Sequence, residues 1–238
     1  MKTPSFMRQS ASQPPRTRAW SSGIPWSSCG RHLHYALALF ASLAVTGCSF
    51  LKPARTSEQH FVLTPLPMVA AAAVPSGAPC VGVGQIKLPA YLYNTSLAVR
   101  RGTNEIDYLP LTLWAERLDT SAQRVLAANL AALLPTDKVR LSAWRSEDVA
   151  VEVYVAFERF DVGANGQAQL VAWWRILSPG GEKTLKSGQT QLACPGPSPN
   201  TNPSGAVATL SELLAGLSRQ VASAIKETAP RDAAPFSR

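Results

Sequence analysis

Few side chains in this 238-residue sequence have the type and spacing for chemistry. Cys48 is one. It ends the run Leu43-Ala44-Val45-Thr46-Gly47-Cys48, which resembles a bacterial lipobox. In a lipobox the thiol is lipidated and the cysteine becomes residue one after cleavage. Cys80 and Cys194 are the two thiols that follow it, and in an oxidising compartment an even pair reads either as a disulfide or as two separate buried thiols. His60 is the sole histidine after Cys48, so a Ser-His-Asp or Cys-His arrangement would have to use it, next to a flexible segment. No cluster of His, Cys and carboxylate has metal-ligand spacing. Val81-Gly82-Val83-Gly84 has Lys87 where a dinucleotide fingerprint needs its third glycine, and no helix is expected after it. The acidic pairs Glu105/Asp107, Glu147/Asp148 and Glu158/Asp161 read as solvated faces or ends of strands rather than as glycosidase dyads. These residues predict no enzyme and no cofactor other than covalent lipid on Cys48.

What is left is recognition. Trp173 and Trp174 are consecutive in an expected strand, so their rings face opposite sides: one core, the other towards a second layer, a groove or solvent. Arg100 and Arg101, taken with Trp114 and Glu116, form the other concentration of interface-type residues and are candidate partner contacts.

The elements that must position them follow from periodicity. Phe61-Val62-Leu63 and Val81 to Ile86 read as short strands. Leu97–Arg100 and Glu105–Leu109 read as a strand pair around the turn 101–104. Thr120 and Gln123 make a capping box for a helix whose apolar stripe runs through Ala122, Leu126, Leu130, Leu133 and Leu134 to Pro135. Val139 and Leu141 make a short strand. Val149–Val162, Gln167–Leu177 and Lys183–Ala193 form an antiparallel meander. A last helix, Ala206–Glu227, aligns Val207, Leu210, Leu214, Leu217, Val221 and Ala224. The expectation is a single α/β domain, a mixed sheet covered by two long helices.

Bulk properties set the boundaries. An apolar run of 13 residues, Leu33 to Val45, follows Lys2, Arg8, Arg16, Arg18 and Arg31. That is a charged region and a short apolar core of an export signal, too short for a membrane span. Residues 1–47 are therefore expected to be a signal peptide, 48–59 a lipidated tether, 60–227 the folded domain and 228–238 a disordered tail. Of the 23 basic residues five precede Cys48, leaving 18 against 15 acidic ones. The formal +8 thus shrinks to +3, and the charge balance points to no nucleic-acid partner.

The order FVLTP, a Pro/Ala linker, VGVGQIKLPAYL, LAVRRGTNEIDYLPLTLWAERL and QRVLAANLAALLPTDKV resembles the ABC-type transport auxiliary lipoprotein family, the PqiC-like lipoproteins, over roughly residues 60–226. Val81–Leu92 and Trp114-Ala115-Glu116 with Leu118 are its most diagnostic pieces. The resemblance implies a Rossmann-like layered domain without a nucleotide site. It also implies a docking role in an MCE-type intermembrane lipid transport system, with an MCE-domain periplasmic protein and inner-membrane transport components as partners. A homo-oligomer fits the ring-shaped assemblies of such systems. Ser49, which is not Asp, favours the outer membrane by the sorting rule of enteric bacteria. The alternative is a periplasmic lipid carrier with its own apolar cavity.

Overall fold

Strand β6, Val151–Gly163, is the piece on which the rest of the sheet is assembled. Its alternation buries Val151, Val153, Val155 and Phe157 on one face, as a half-buried strand requires. The computed structural model describes residues 57–67, 79–134, 136, 138–141 and 144–228, all within one unit, Thr56–Arg238. Cys48, the expected signal segment, most of the Pro/Ala-rich connection and the expected tail after Thr228 lie outside the described residues.

Along one edge, β6 pairs antiparallel with β7, Gln167–Leu177, which pairs antiparallel with β8, Thr184–Pro195. This is the expected meander. The other edge of β6 is shared. Near its start it pairs in parallel with β2, Val81–Val83, and near its end with β3, Ser96–Arg100. β2 adds β5, Val139–Leu141, in parallel; β3 adds β4, Ile106–Trp114, antiparallel, and β4 adds β1, Gln59–Phe61, in parallel. A register shift between Phe157 and Arg159 bends β6 midway. The result is a curled, open mixed sheet of eight strands. A Rossmann-like layering does not follow from this strand order, because two short sub-sheets fan out from one edge of β6 instead of winding in sequence.

Two helices, α1 (Leu118–Leu133) and α2 (Pro203–Thr228), bury their apolar faces. All six stripe residues expected of α2 are buried. Asn202 Oδ1 accepts the Gly205 N–H at 2.9 Å, so α2 starts three residues before the expected Ala206, with Pro203 at its first position. Gly216 sits where a Cβ would lie 2.8 Å from Leu192, which lets α2 approach β8 closely. No helix among the described residues is long and apolar enough to cross a membrane.

The expected capping box of α1 is not formed. The helix begins at Leu118, two residues before Thr120, and the Gln123 amide donates to Val83 O at 2.8 Å. Asp119 does the work at this terminus: its Oδ1 accepts the Thr120 N–H at 2.9 Å and its carboxylate pairs with Arg117 at 2.7 Å. The Arg117 hydrogen bonds hold the Asp119 carboxyl below its ordinary value. Its stabilising contribution is therefore present above an unfolded pKa of about 4 and is lost as pH falls through the lower folded value. Asp119→Asn should flatten the acid limb of stability below about pH 5, read from urea midpoints against pH; an unchanged slope would contradict this role.

The chain that leaves β1 is stitched to both helices. Asn129, fully buried, accepts the Leu66 N–H at 2.7 Å and donates to Ser218 Oγ at 3.0 Å. The Thr64 N–H donates to Ser211 Oγ at 3.1 Å. Leu63 is buried beside them. Strand β1 ends at Phe61, earlier than the expected Phe61-Val62-Leu63 strand, because the next residues leave the sheet for the helices.

Candidate functional site

Strand directions give the sheet two distinct ends. β2, β3, β5, β6 and β8 run towards one end, and β1, β4 and β7 run back. Arg100, Gly163 and Pro195 close one end, while Trp114 and Leu177 close the other.

At the Trp114 end, Glu152 is only 4% exposed. It accepts the Trp144 Nε1–H at 3.1 Å, the Gly180 N–H at 3.0 Å and the Tyr154 hydroxyl at 3.1 Å. Burial, and then the neighbouring carboxylate, push the Tyr154 phenol up. Both rings lie on glycines: a Cβ on Gly82 would stand 2.7 Å from Trp144, and one on Gly84 would stand 2.5 Å from Tyr154. The alternating glycines of Val81-Gly82-Val83-Gly84 are thus seats for two aromatic rings, with no phosphate-cradling role. The rings flank a surface cleft of about 740 Å³ that Gln85 and Thr120 also line.

Tyr154 and Gln85 continue into a second cleft of about 450 Å³ with Lys87, Trp173 and Arg175. Trp173 is 50% exposed and donates to Glu158 Oε1 at 2.6 Å. Trp174 points the other way, buried, and donates to Thr190 Oγ1 at 3.0 Å. The expected division of the two rings is what the structure contains. A third cleft, about 330 Å³, is lined by Tyr93, Trp114, Glu116 and Arg117. There the Arg117 guanidinium lies 5.7 Å from the centre of the exposed Tyr93 ring, and Glu116 pairs with Arg124 at 2.5 Å.

At the Arg100 end, the Asp161 side chain is entirely buried. It accepts the Tyr91 hydroxyl at 3.0 Å, Arg100 Nη2 at 2.8 Å and Arg159 Nε at 2.9 Å. Burial, and then Asp161, push the Tyr91 phenol up to about 12. One carboxylate so holds two guanidiniums side by side. Above them opens a cleft of about 430 Å³ lined by Arg100, Arg101, Thr103, Arg159, Asn165 and Gln169, among others.

The four candidate contacts therefore do not form one patch. Ser96 stands opposite Leu113 and Arg100 opposite Ile106, which puts Arg100 and Arg101 at one end of the β3–β4 pair and Trp114 and Glu116 at the other. Trp114 is itself nearly buried. The disulfide alternative is also corrected: both Cys80 and Cys194 are free thiols. Cys80 O accepts the Ala150 N–H just before β6, whereas Cys194 lies beside Ala168, opposite Val162 near the end of β6. Twelve residues of strand, roughly 40 Å, separate positions that a bridge would need within about 7 Å. Asp161, expected on a solvated strand face or end, is instead buried, and it and the buried Glu152 are the carboxylates that organise the two ends. The clue available was the aromatic and arginine side chains around them, which only the folded chain assembles.

Among the described residues, no three His, Cys, Asp or Glu side chains gather into a group that could hold a metal ion. No curated protein matches this sequence. Among the solved structures that share the fold are two at a TM-score above 0.5. One is an uncharacterised protein, 18% identical, with a TM-score of 0.59 over 71% of this chain and 99% of its own. The other, from Xanthomonas campestris and of the DUF330 family, is 14% identical, with a TM-score of 0.57 over 71% of this chain and 95% of its own. The sequence itself matches one family over residues 61–222, from the last residue of β1 into the last turns of α2. The chain belongs to the family of ABC-type transport auxiliary lipoprotein components.

Proposed function

We propose that this protein is a non-enzymatic outer-membrane lipoprotein, lipidated at Cys48, that acts as the docking component of an MCE/ABC-type intermembrane lipid transport system. The observation that carries the docking role is the set of half-buried and exposed aromatics Tyr93, Trp144, Tyr154 and Trp173 that line three surface clefts, two of which share Gln85 and Tyr154. Aromatic side chains beside arginine and amide groups are the composition of protein interfaces. The same clefts argue against a carrier. They open on the surface between charged and amide side chains, while the apolar side chains are packed into one continuous cluster beneath the helices. Trp114 and Glu116 belong to this docking end; Arg100 and Arg101 do not.

Co-purification of the MCE-domain partner from mildly extracted membranes tests the reading. Wild-type protein should bring the partner down. Trp173→Ala with Tyr154→Ala should weaken the interaction by about 30-fold, the effect of removing a hot-spot aromatic worth about 2 kcal/mol. Cys48→Ala should abolish palmitate labelling and either release the protein or leave it as an uncleaved, mislocalised precursor. Undiminished partner binding by the aromatic variant would reject the docking surface, and phospholipid co-purifying with partner-free protein would favour a carrier.

A further inference from the structure

We infer that the Arg100–Arg101–Arg159 cleft is a membrane-facing surface that takes the anionic headgroups of the bilayer in which the Cys48 lipid is embedded. The inference rests on the proposed lipidation and adds an orientation to it.

The first observation is the path of the chain. β1 pairs in parallel with β4, with Gln59 opposite Thr112 and Phe61 opposite Trp114. β4 is antiparallel to β3. Traced backwards from Phe61 to Gln59, β1 therefore runs in the direction in which β3 runs towards Arg100. The chain therefore comes into β1 travelling from the side of the arginine cleft, although β1 itself lies beside the Trp114 half of β4. Cys48 stands nine residues before Ser57, the first described residue, and nine residues reach at most about 30 Å. A lipid so close before β1 turns the Arg100 end towards the bilayer, and the aromatic docking end away from it.

The second observation is the chemistry of that end. Arg100 and Arg159 share Asp161 beneath them, two cations on one fully buried carboxylate. Arg159 gives Asp161 its Nε, and a guanidinium carries two further amino groups beyond its Nε. Arg101 stands at the rim, about half exposed, paired only with the similarly exposed Asp107. Thr103, Asn165 and Gln169 add polar groups, and no carboxylate side chain is among the residues lining the cleft. α2 also starts on this side: Gly196 N–H donates to Gly166 O in the β6–β7 turn, six residues before the Asn202 cap. Planar donors held by a buried carboxylate are preorganised for the oxygens of a phosphate. A lipid chain plus a basic surface is the two-signal arrangement that fixes a protein against a membrane.

The test is hydrogen exchange on the mature lipoprotein reconstituted into phosphatidylethanolamine vesicles with and without phosphatidylglycerol. The expected result is slowed exchange of segments 101–104 and 163–167 on the anionic vesicles, with segment 178–183 at the far end unchanged. Arg101→Gln leaves the Asp161 cluster whole and should abolish most of that protection while the protein stays bound through its lipid. Vesicle-bound protein with unprotected cleft segments, or with segment 178–183 protected instead, overturns the orientation. Protection produced by inorganic phosphate without vesicles makes the cleft a soluble-anion site and overturns the membrane assignment. Protein left in the supernatant overturns the Cys48 anchor, and the inference with it.

Discussion

Asp161→Ala should cost about 3 kcal/mol of stability, the lower end of what breaking a buried ion pair costs. The substitution leaves the Tyr91 hydroxyl without the acceptor it has at 3.0 Å and removes the carboxylate shared by Arg100 and Arg159. The two guanidiniums then repel each other across the space the carboxylate occupied. The lower end applies because both arginines keep part of their surface in water, 19% for Arg100 and 27% for Arg159. For a domain of this size the loss corresponds to a fall in Tm of roughly 6–12 °C. Asp161→Asn keeps one acceptor and the shape, so it should fall between wild type and Asp161→Ala. Thermal unfolding of the three proteins at one pH checks the ranking. Equal Tm values would mean that the arginines find other partners and that Asp161 organises nothing.

The second large effect is expected at Asn129. Its side chain bridges the Leu66 backbone and α2: it accepts the Leu66 N–H at 2.7 Å and donates to Ser218 Oγ at 3.0 Å. Asn129→Leu keeps the branched outline of the side chain and does not lower helix preference, but strands the Leu66 N–H. Ser218 is less affected, because its hydroxyl still donates to Leu214 O at 2.7 Å. An unsatisfied buried donor costs about 1–3 kcal/mol, and the loosened fit around Leu63 adds to it, so a total near 3 kcal/mol is expected. The loss should be local as well as global. Limited proteolysis should cut near Leu63–Leu66 sooner in the variant, while the β6–β7–β8 meander stays resistant. Uniform loosening of the whole domain would argue that Asn129 supports the helix pair and not the incoming chain.

What the sequence allowed to be read depended on whether the signal was local. The turn at 101–104, the bounds of β7 and the stripe of α2 are set by residues within a few positions of one another, and they stand as expected. The start of α1 is not local in that sense: Gln123 turns to Val83 O, forty residues back, so the Thr120 box never forms. The arginine and tryptophan candidates were near in sequence, yet a nine-residue strand lies between them and carries them to opposite ends. Gly82 and Gly84 were visible as an oddity, but their reason, the Trp144 and Tyr154 rings resting on them, lies sixty and more residues on. Asp161 and Glu152 alternated with apolar residues as surface positions do. They are buried because neighbouring segments fold over their face of β6. The family resemblance rested on the order of such pieces along the chain, and the family match over residues 61–222 agrees with it, while the Rossmann-like layering that the resemblance implied does not follow from the strand order.

The parallel pairing of β1 with β4 has a mechanical consequence. A load applied through an anchor ahead of Ser57 is directed along the axis of β1, so the hydrogen bonds that join its three residues to Thr112, Leu113 and Trp114 are strained in shear and share the force. Beyond them, the Leu63 side chain and the Thr64 and Leu66 amides pass the force into both helices. Were the chain to arrive from the other direction, the same bonds would open one after another like a zipper. On the proposed arrangement, with the domain tied to one membrane and gripped at its far end by a partner reaching from another, tension rises whenever the two membranes move apart, and the short strand β1 is aligned to bear it.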